Sequence, residues 1–499
     1  MKKNKTGKFI FLLASLLSCQ LFYAQFPYYN SGQKSEGFKI LGESNPGLIT
    51  FSNGGIKLID NTNQYSGVSL DNLSFSTEKG FILEFEFVLD RGTLLENKYG
   101  DGFSIVLFDA QATEPKIGDK GGALGYAYTK KTGNNNVEGF SQGFLGLGFD
   151  LFGNYKNIKK DYDEIRNGIV NNSDGDFIVL RGPYNAVDKF QGYPVLFAIG
   201  TLKNSNFHLD RYSGNTVVKK KGLIGQRFSL RGNRLDVSPG DVEYRKAKIS
   251  LIPGREEING ELGYFISVEI VNGMYNSSII KNYFIPKEGQ IKYIEQTSQT
   301  HYEHVDLSIK TPETLKMAFT GSTGGASIRA HIRNIALSLP FSPLANDVVI
   351  NDVLRNREHS IKPLYSAYGY DTNVFSILRP PNKSTLFLDK SSFRFMIFDE
   401  ATQKFRVSPD PFKLSVPNVG EFDYNVNSGE VLFKPIEGIE GDRYIFYYDI
   451  KNQQSTTGFV DISAEEYRSR VTSVTLNFTD KTSLNNSNYL IINKGLKKN

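Results

Sequence analysis

The sequence predicts an all-β protein made of antiparallel sandwiches. Three observations lead there. Apolar runs with a period of two recur along the chain, glycine- and asparagine-rich turns separate them, and convincing helical periodicity is scarce. Side chains on a strand alternate between faces, so a period of two marks a half-buried strand. The 499 residues leave room for two or three domains with sizeable cores.

Residues 1–24 read as a signal peptide. Lys2, Lys3, Lys5 and Lys8 precede the apolar run "FIFLLASLL", and "FYAQ" offers a cleavage point after Ala24. The run is too short for a membrane span. Lipoprotein processing at Cys19 is the alternative, because "LLSC" loosely resembles a lipobox; the apolar "QLFYA" beyond it favours ordinary cleavage. The protein is therefore expected to be exported, to the outside or to the cell surface. Its only cysteine lies in this leader, so a mature chain must be held by its core alone.

The strands follow. "GFILEFEFVLD" (80–90) puts Phe81, Leu83, Phe85, Phe87 and Leu89 on one face and Glu84, Glu86 and Asp90 on the other, the expected solvated side. "GFSIVLFDA" (102–110) is apolar on both faces and reads as a buried strand. In "LGLGFDLFGNYKN" (145–157), Leu145, Leu147, Phe149 and Leu151 share the core side. Gly146, Gly148, Asp150 and Phe152 line the other, with Asn154 past the turn glycine Gly153. Two glycines leave open space there, and a carboxylate, a ring and an amide gather at the rim. "YFISVEIVNG", "LKMAFTG" and "IRNIALSL" continue the pattern to Leu339.

Two prolines in "LPFSPLANDVV" (339–349) mark a boundary. Beyond it, "STLFLDKSSFRFMIFD", "GEFDYNVNSGEVLFKP" and "GDRYIFYYDIKN" form a second, smaller all-β unit, with "NVNSGEV" as a hairpin turn. The division is thus 25–342, 346–463, and a polar extension, 464–499, whose packing the pattern leaves open. Only "AEEYRSRV" near residue 468 tempts a helix reading, and it is short.

Charge excludes one class of partner. The leader holds four lysines and no acid, so the formal charge falls from +5 to +1 once it is removed. "VVKKKG" (217–222) and the terminal "GLKKN" are short runs without interleaved aromatics, so nucleic acid is not expected as a partner.

Most short motifs fail on context. "GFSQG" (139–143) matches the nucleophile elbow, but a strand rather than a helix follows Ser141. His301 and His304 at i, i+3 on a strand would point to opposite faces. "NNSDGD" (171–176) lacks the spaced ligands of an EF-hand. Glu84 and Glu86 share a face, yet nothing completes the E-x-D-x-x-E pattern of laminarinase-type glucanases. The chain is not expected to be an enzyme.

Four separated segments fit one picture: "GDGFSIVLFDA" with Asp101, "GGALGYAY" with Gly121 and Gly122, "LGFDLFGN" with Asp150, Phe152 and Asn154, and "MAFTGSTGGASIRAHIRNIALSL" (317–339) with the Gly321–Gly325 loop. In this order they resemble the legume-type (L-type) lectins, and above all the bacterial lectin-like domains in which "GFD-x-x-GN", "VLRG" (179–182) and "HIRN" (331–334) recur. The resemblance implies a concanavalin A-like sandwich (jelly roll) over 25–342 and a carbohydrate site. There Asp101 would accept hydrogen bonds from two hydroxyls. Gly121 or Gly122 would offer a backbone N–H. Asn154 would donate its amide, Phe152 would cover an apolar ring face, and Gly324 and Gly325 would close the rim. It also implies calcium beneath the site, held by Asp150, Asn154 and either Asp161 or Asp163. Gly148 stands where the plant motif has a glutamate for a second metal, so manganese is not expected. With no tryptophan in the chain, stacking would fall to Phe or Tyr.

Residues 346–463 resemble the surface-fibril (CshA-type) or cadherin-like repeats of bacterial adhesins, through "SSFRFMIFD" and "GEFDYNVNSGEVLFKPIEGIEGDRYIFYYDI". That implies an Ig/cadherin-like sandwich acting as a spacer. The joint expectation is a surface adhesin that binds a glycan or polysaccharide, with cell-surface or matrix components as partners. The alternatives are a scaffold whose sugar site has decayed and, behind it, a glycan hydrolase needing two carboxylates about 5–10 Å apart.

Overall fold

The computed structural model describes residues 26–71, 73–131, 136–156, 163–164, 175–187, 192–202, 207–210, 217–219, 226–254, 260–296, 302–371, 382–402, 404–454, 462–480 and 488–491. Among them there is no α-helix, only strands and short 3-10 turns, one of which is Glu465–Tyr467 in the stretch that tempted a helix reading.

Two sheets stack in the first unit. One runs in the order Tyr275–Pro286, Gly263–Asn272, Arg245–Pro253, Phe81–Asp90, Arg329–Ser338, Gly55–Ile59, Thr50–Ser52, with Tyr28–Asn30 also paired to Arg329–Ser338. The other has Phe177–Arg181, Gly143–Asp150, Gly102–Asp109, Thr314–Ser322 and Tyr65–Leu70 as its middle. Every pairing in both is antiparallel. The core between them holds Phe81, Leu83, Phe85, Phe87 and Leu89, all fully buried, against Phe103, Phe149 and Phe319. The alternation read from the sequence is therefore the core face of a sandwich. The outward face of Phe81–Asp90 is a correction to the solvated face expected there. Lys246 pairs with Glu84 at 3.1 Å, Arg333 with Glu86 at 2.8 Å, and Arg329 grips the fully buried Asp90. Burial alone would raise the Glu84 carboxyl, but Lys246, Arg470 and Lys248 pull it down to about 2. Both glutamates are held as cross-strand ion pairs.

The second unit has a six-stranded sheet, ordered Lys404–Val407, Leu388–Asp399, Arg443–Asn452, Thr472–Thr479, Val348–Leu354, Asn488–Ile491, and a four-stranded one, His359–Ile361, Glu430–Pro435, Gly420–Asn425, Lys413–Val416. The expected hairpin joins Gly420–Asn425 to Glu430–Pro435. Phe393, Phe422, Phe433, Phe446 and Tyr448 fill the core, with Phe393 stacked on Tyr424 at 3.8 Å. The larger sheet is not purely antiparallel: Val348–Leu354 runs parallel to Thr472–Thr479, so the unit's first strand and a late one lie side by side. The segment before that late strand turns to the first unit. Ile462 and Tyr467 belong to the first unit's core, Lys79 meets Glu466 at 2.7 Å, and the Asn452 side-chain amide donates to the Phe341 carbonyl at 2.8 Å.

Candidate functional site

Asp101 sits immediately before the strand Gly102–Asp109, after a cis Gly100–Asp101 peptide. Its N–H donates to the Ser322 carbonyl at 3.3 Å, and its own carbonyl accepts from the Leu151 N–H at 2.8 Å. These bonds tie three of the four segments together at one end of the sheet. The fourth, the 3-10 turn Gly121–Ala123, is pinned through the Leu124 carbonyl, which accepts from the Thr320 and Ser104 hydroxyls at 2.7 and 3.0 Å. Gly121 and Gly324 flank the Asp101 carboxylate: a Cβ on Gly324 would stand 3.2 Å from Oδ2, and one on Gly121 3.9 Å. Gly122 lies flat against the Asn154 amide, where a Cβ would come within 2.6 Å of Cγ and Oδ1. Asp101 and Asn154 are 4% and 6% exposed, forming a floor, while Gly121, Gly122, Phe152 and Gly324 are half-buried and Gly325 is exposed. The Phe152 ring packs on Gly100, with the Lys98 ammonium 4.9 Å from its centroid. Asn154 Oδ1 is buried and has no hydrogen-bond partner, which is rare in a settled fold.

The open space expected beside Gly146 and Gly148 is filled, which corrects that reading. A second apolar layer, with Tyr126, Tyr155 and Tyr193, covers the outer face of this sheet. A Cβ on Gly146 would stand 2.3 Å from the Tyr126 ring, and one on Gly148 2.4 Å from two carbons of Tyr155. The position that would carry a second-metal glutamate is thus occupied by a ring. Gly148→Ala is expected to lower stability by about 1–3 kcal/mol through overpacking, read as a lower urea midpoint with an unchanged slope. An unchanged midpoint would mean that Tyr155 moves aside freely.

Arg181, in "VLRG", is fully buried in the same layer, and sequence reasoning gave it no role. Its Nε donates to the Tyr155 carbonyl at 3.0 Å and one terminal nitrogen to the Tyr193 carbonyl at 2.6 Å. Burial lowers its pKa, against the pull of neighbouring tyrosines and Asp150. By holding the Tyr155 carbonyl, it fixes the loop that presents Asn154.

Of the implied calcium ligands, Asp150 and Asn154 have described side chains. Asp150 is fully buried, and its two oxygens accept the Gly153 and Tyr155 N–H groups at 2.8 Å each. Burial raises its pKa, with Lys156 and those two N–H groups opposing. Lys156, 1% exposed, donates its ammonium to the Gly153 carbonyl at 2.6 Å. Asp161 lies outside the described residues, and of Asp163 only the backbone in Asp163–Glu164 is described. Among the described residues no three His, Cys, Asp or Glu side chains cluster as a metal site. Calcium takes six to eight oxygens, and among the described side chains of this loop Asn154 Oδ1 is a buried oxygen with no partner.

The rejected motifs fall as follows. The Ser141 hydroxyl accepts the Lys116 N–H at 3.0 Å, a loop contact before a strand. His301 and residues 171–174 lie outside the described residues, and of His304 only the backbone, paired with Ile294, is described.

No protein-family model matches the chain, and no curated protein matches it. Solved structures to which it is similar include the VIP36 exoplasmic/lumenal domain in a Ca2+/Man3GlcNAc-bound form, at 10% identity over 62% of this chain and 90% of that one, with a TM-score of 0.30. Basic winged bean lectin with Tn-antigen follows at 11% identity, 62% and 97% coverage, and a TM-score of 0.32. The metal-free carbohydrate recognition domain of Emp46p matches at 8% identity, 63% and 94% coverage, and 0.29. Superpositions this loose carry no weight for ligand or metal, so the site stands on its own geometry.

Proposed function

We propose that the chain is an exported surface protein that binds glycans without cleaving them, through the floor formed by Asp101 and Asn154. The carrying observation is the meeting of a carboxylate and an amide across the Gly121–Gly122 step, with Asn154 Oδ1 left unpartnered. A carboxylate and an amide side by side can accept from and donate to neighbouring sugar hydroxyls. Gly121, Gly122 and Gly324 add backbone at the rim without side chains in the way. Phe152 supplies an apolar patch, as ligand sites usually do. The ion-paired state of Glu84 and Glu86 supports binding without hydrolysis. The leader supports export, and the second β unit supports a spacer that presents the site as in an adhesin.

The test is a glycan-array screen of the full mature chain beside Asp101→Ala and Asn154→Ala. Binding by the wild type that either substitution abolishes, with the β-sheet circular dichroism retained, is the expected result. A folded wild type that binds nothing on a broad array would overturn the reading in favour of a protein-binding scaffold.

A further inference from the structure

We infer that the Lys156 ammonium is the built-in cation of the 150–156 loop, holding in place the turn that presents Asn154 so that no calcium is needed there. The proposal takes its functional meaning from the glycan reading above, but the cation assignment rests on the loop alone.

Lys156 is the only lysine that is buried among the described residues. Burying an ammonium is costly unless it is paired and hydrogen-bonded, so its surroundings are informative. Its Nζ donates to the Gly153 carbonyl at 2.6 Å and stands 4.0 Å from the centroid of the Phe177 ring. Its positive field also reaches the buried Asp150 carboxylate. One wall of this pocket is therefore an aromatic face. Such a face suits an ammonium through cation–π attraction and gives nothing to calcium, a hard ion that binds through oxygen.

The loop chemistry agrees. The Asp150 carboxylate accepts the Gly153 and Tyr155 N–H groups, one on each oxygen, which closes the turn, and Lys156 closes it from the other side by taking the Gly153 carbonyl. Asp150 and Lys156 thus clamp both ends of the Gly153 residue, with Asn154 next to it. A divalent ion placed here would face a resident positive charge, and would have to expel it and replace a ring by oxygens.

The experiment uses the full mature chain and reads melting temperature, which needs no glycan. The wild type is expected to melt at the same temperature, within about 1 °C, in chelator and in excess calcium, since an ion that does not bind the native state cannot stabilise it. Lys156→Met, which keeps the length and loses the charge, is expected to melt several degrees lower, with no recovery in calcium. A calcium-dependent rise in the wild type that Asp150→Asn abolishes would overturn the proposal, as would a Lys156→Met variant that melts like the wild type. If the array shows binding, chelator should leave it intact; loss in chelator would also overturn the proposal. A silent array with the expected melting behaviour would remove the glycan reading and leave the lysine cation standing.

Discussion

Arg181→Ala is expected to be the most damaging single substitution in the outer layer, lowering stability by about 4 kcal/mol or more. The side chain is fully buried and serves the Tyr155 and Tyr193 carbonyls. Its removal strands two buried acceptors, each costing about 1–3 kcal/mol, and leaves a cavity beside Tyr155, whose ring lies 4.9 Å from the guanidinium. Arg181→Lys keeps the charge but not the fork that reaches both carbonyls, so it should fall between the two. Urea denaturation of the three proteins gives the order directly. An alanine variant within about 1 kcal/mol of the wild type would mean that Tyr155 and Tyr193 find other donors. On the proposed glycan reading, affinity should also fall with stability in this series, because the Tyr155 carbonyl that Arg181 holds is next to Asn154.

The second large effect is a pH dependence to which two buried groups contribute in opposite senses. His331 is 5% exposed and neither ring nitrogen has a partner; burial, with Arg329 adding to it and Asp90 opposing, lowers its pKa to about 4. A histidine free in the unfolded chain titrates near 6.5, so there the unfolded state binds more protons than the native one. The stability this gives is fully present above the unfolded value and is lost as pH falls through 4, about 3 kcal/mol in all. Asp176 behaves oppositely. Burial raises its carboxyl to about 7, although the Ser229 hydroxyl and the Leu230 backbone pull it down. Between about 4 and 7 the native state now holds the extra proton, so this group makes stability fall as pH rises, again by a few kcal/mol. His331→Leu removes the first contribution, so from pH 4 to 7 its stability should fall relative to the wild type. Asp176→Asn removes the second, so over the same range its stability should rise relative to the wild type. Parallel profiles for the two variants would show that neither group titrates as argued.

What the sequence made legible was the alternation. Phe81 to Leu89, Leu145 to Leu151 and the 425–430 hairpin lie where their patterns put them, because a period of two reports which side of a strand meets the core. The four glycine- and acid-bearing segments also come together, their turns being specified locally by Gly121, Gly122 and Gly324. What stayed hidden depends on contacts distant in sequence. That Tyr126 and Tyr155 lie over Gly146 and Gly148 requires knowing that two loops fold back over the outer face. Lys156 and Arg181 carry no local mark of burial; the Phe177 ring covers Lys156, and the Tyr155 and Tyr193 carbonyls hold Arg181. Nor does the pattern of Thr472–Thr479 announce a parallel neighbour more than a hundred residues earlier.

The threading of residues 462–467 bears on how the protein is made. Ile462 and Tyr467 complete the core of a unit whose other strands end at Ser338. During synthesis that core therefore waits for a stretch translated after most of the second unit. A chain stopped near the proline boundary would expose the apolar surface that Ile462 and Tyr467 cover, and would sit in solution as a sticky intermediate. Chaperones would have to shield the first unit until its closing segment arrives, and the two units would then mature in one step rather than in turn.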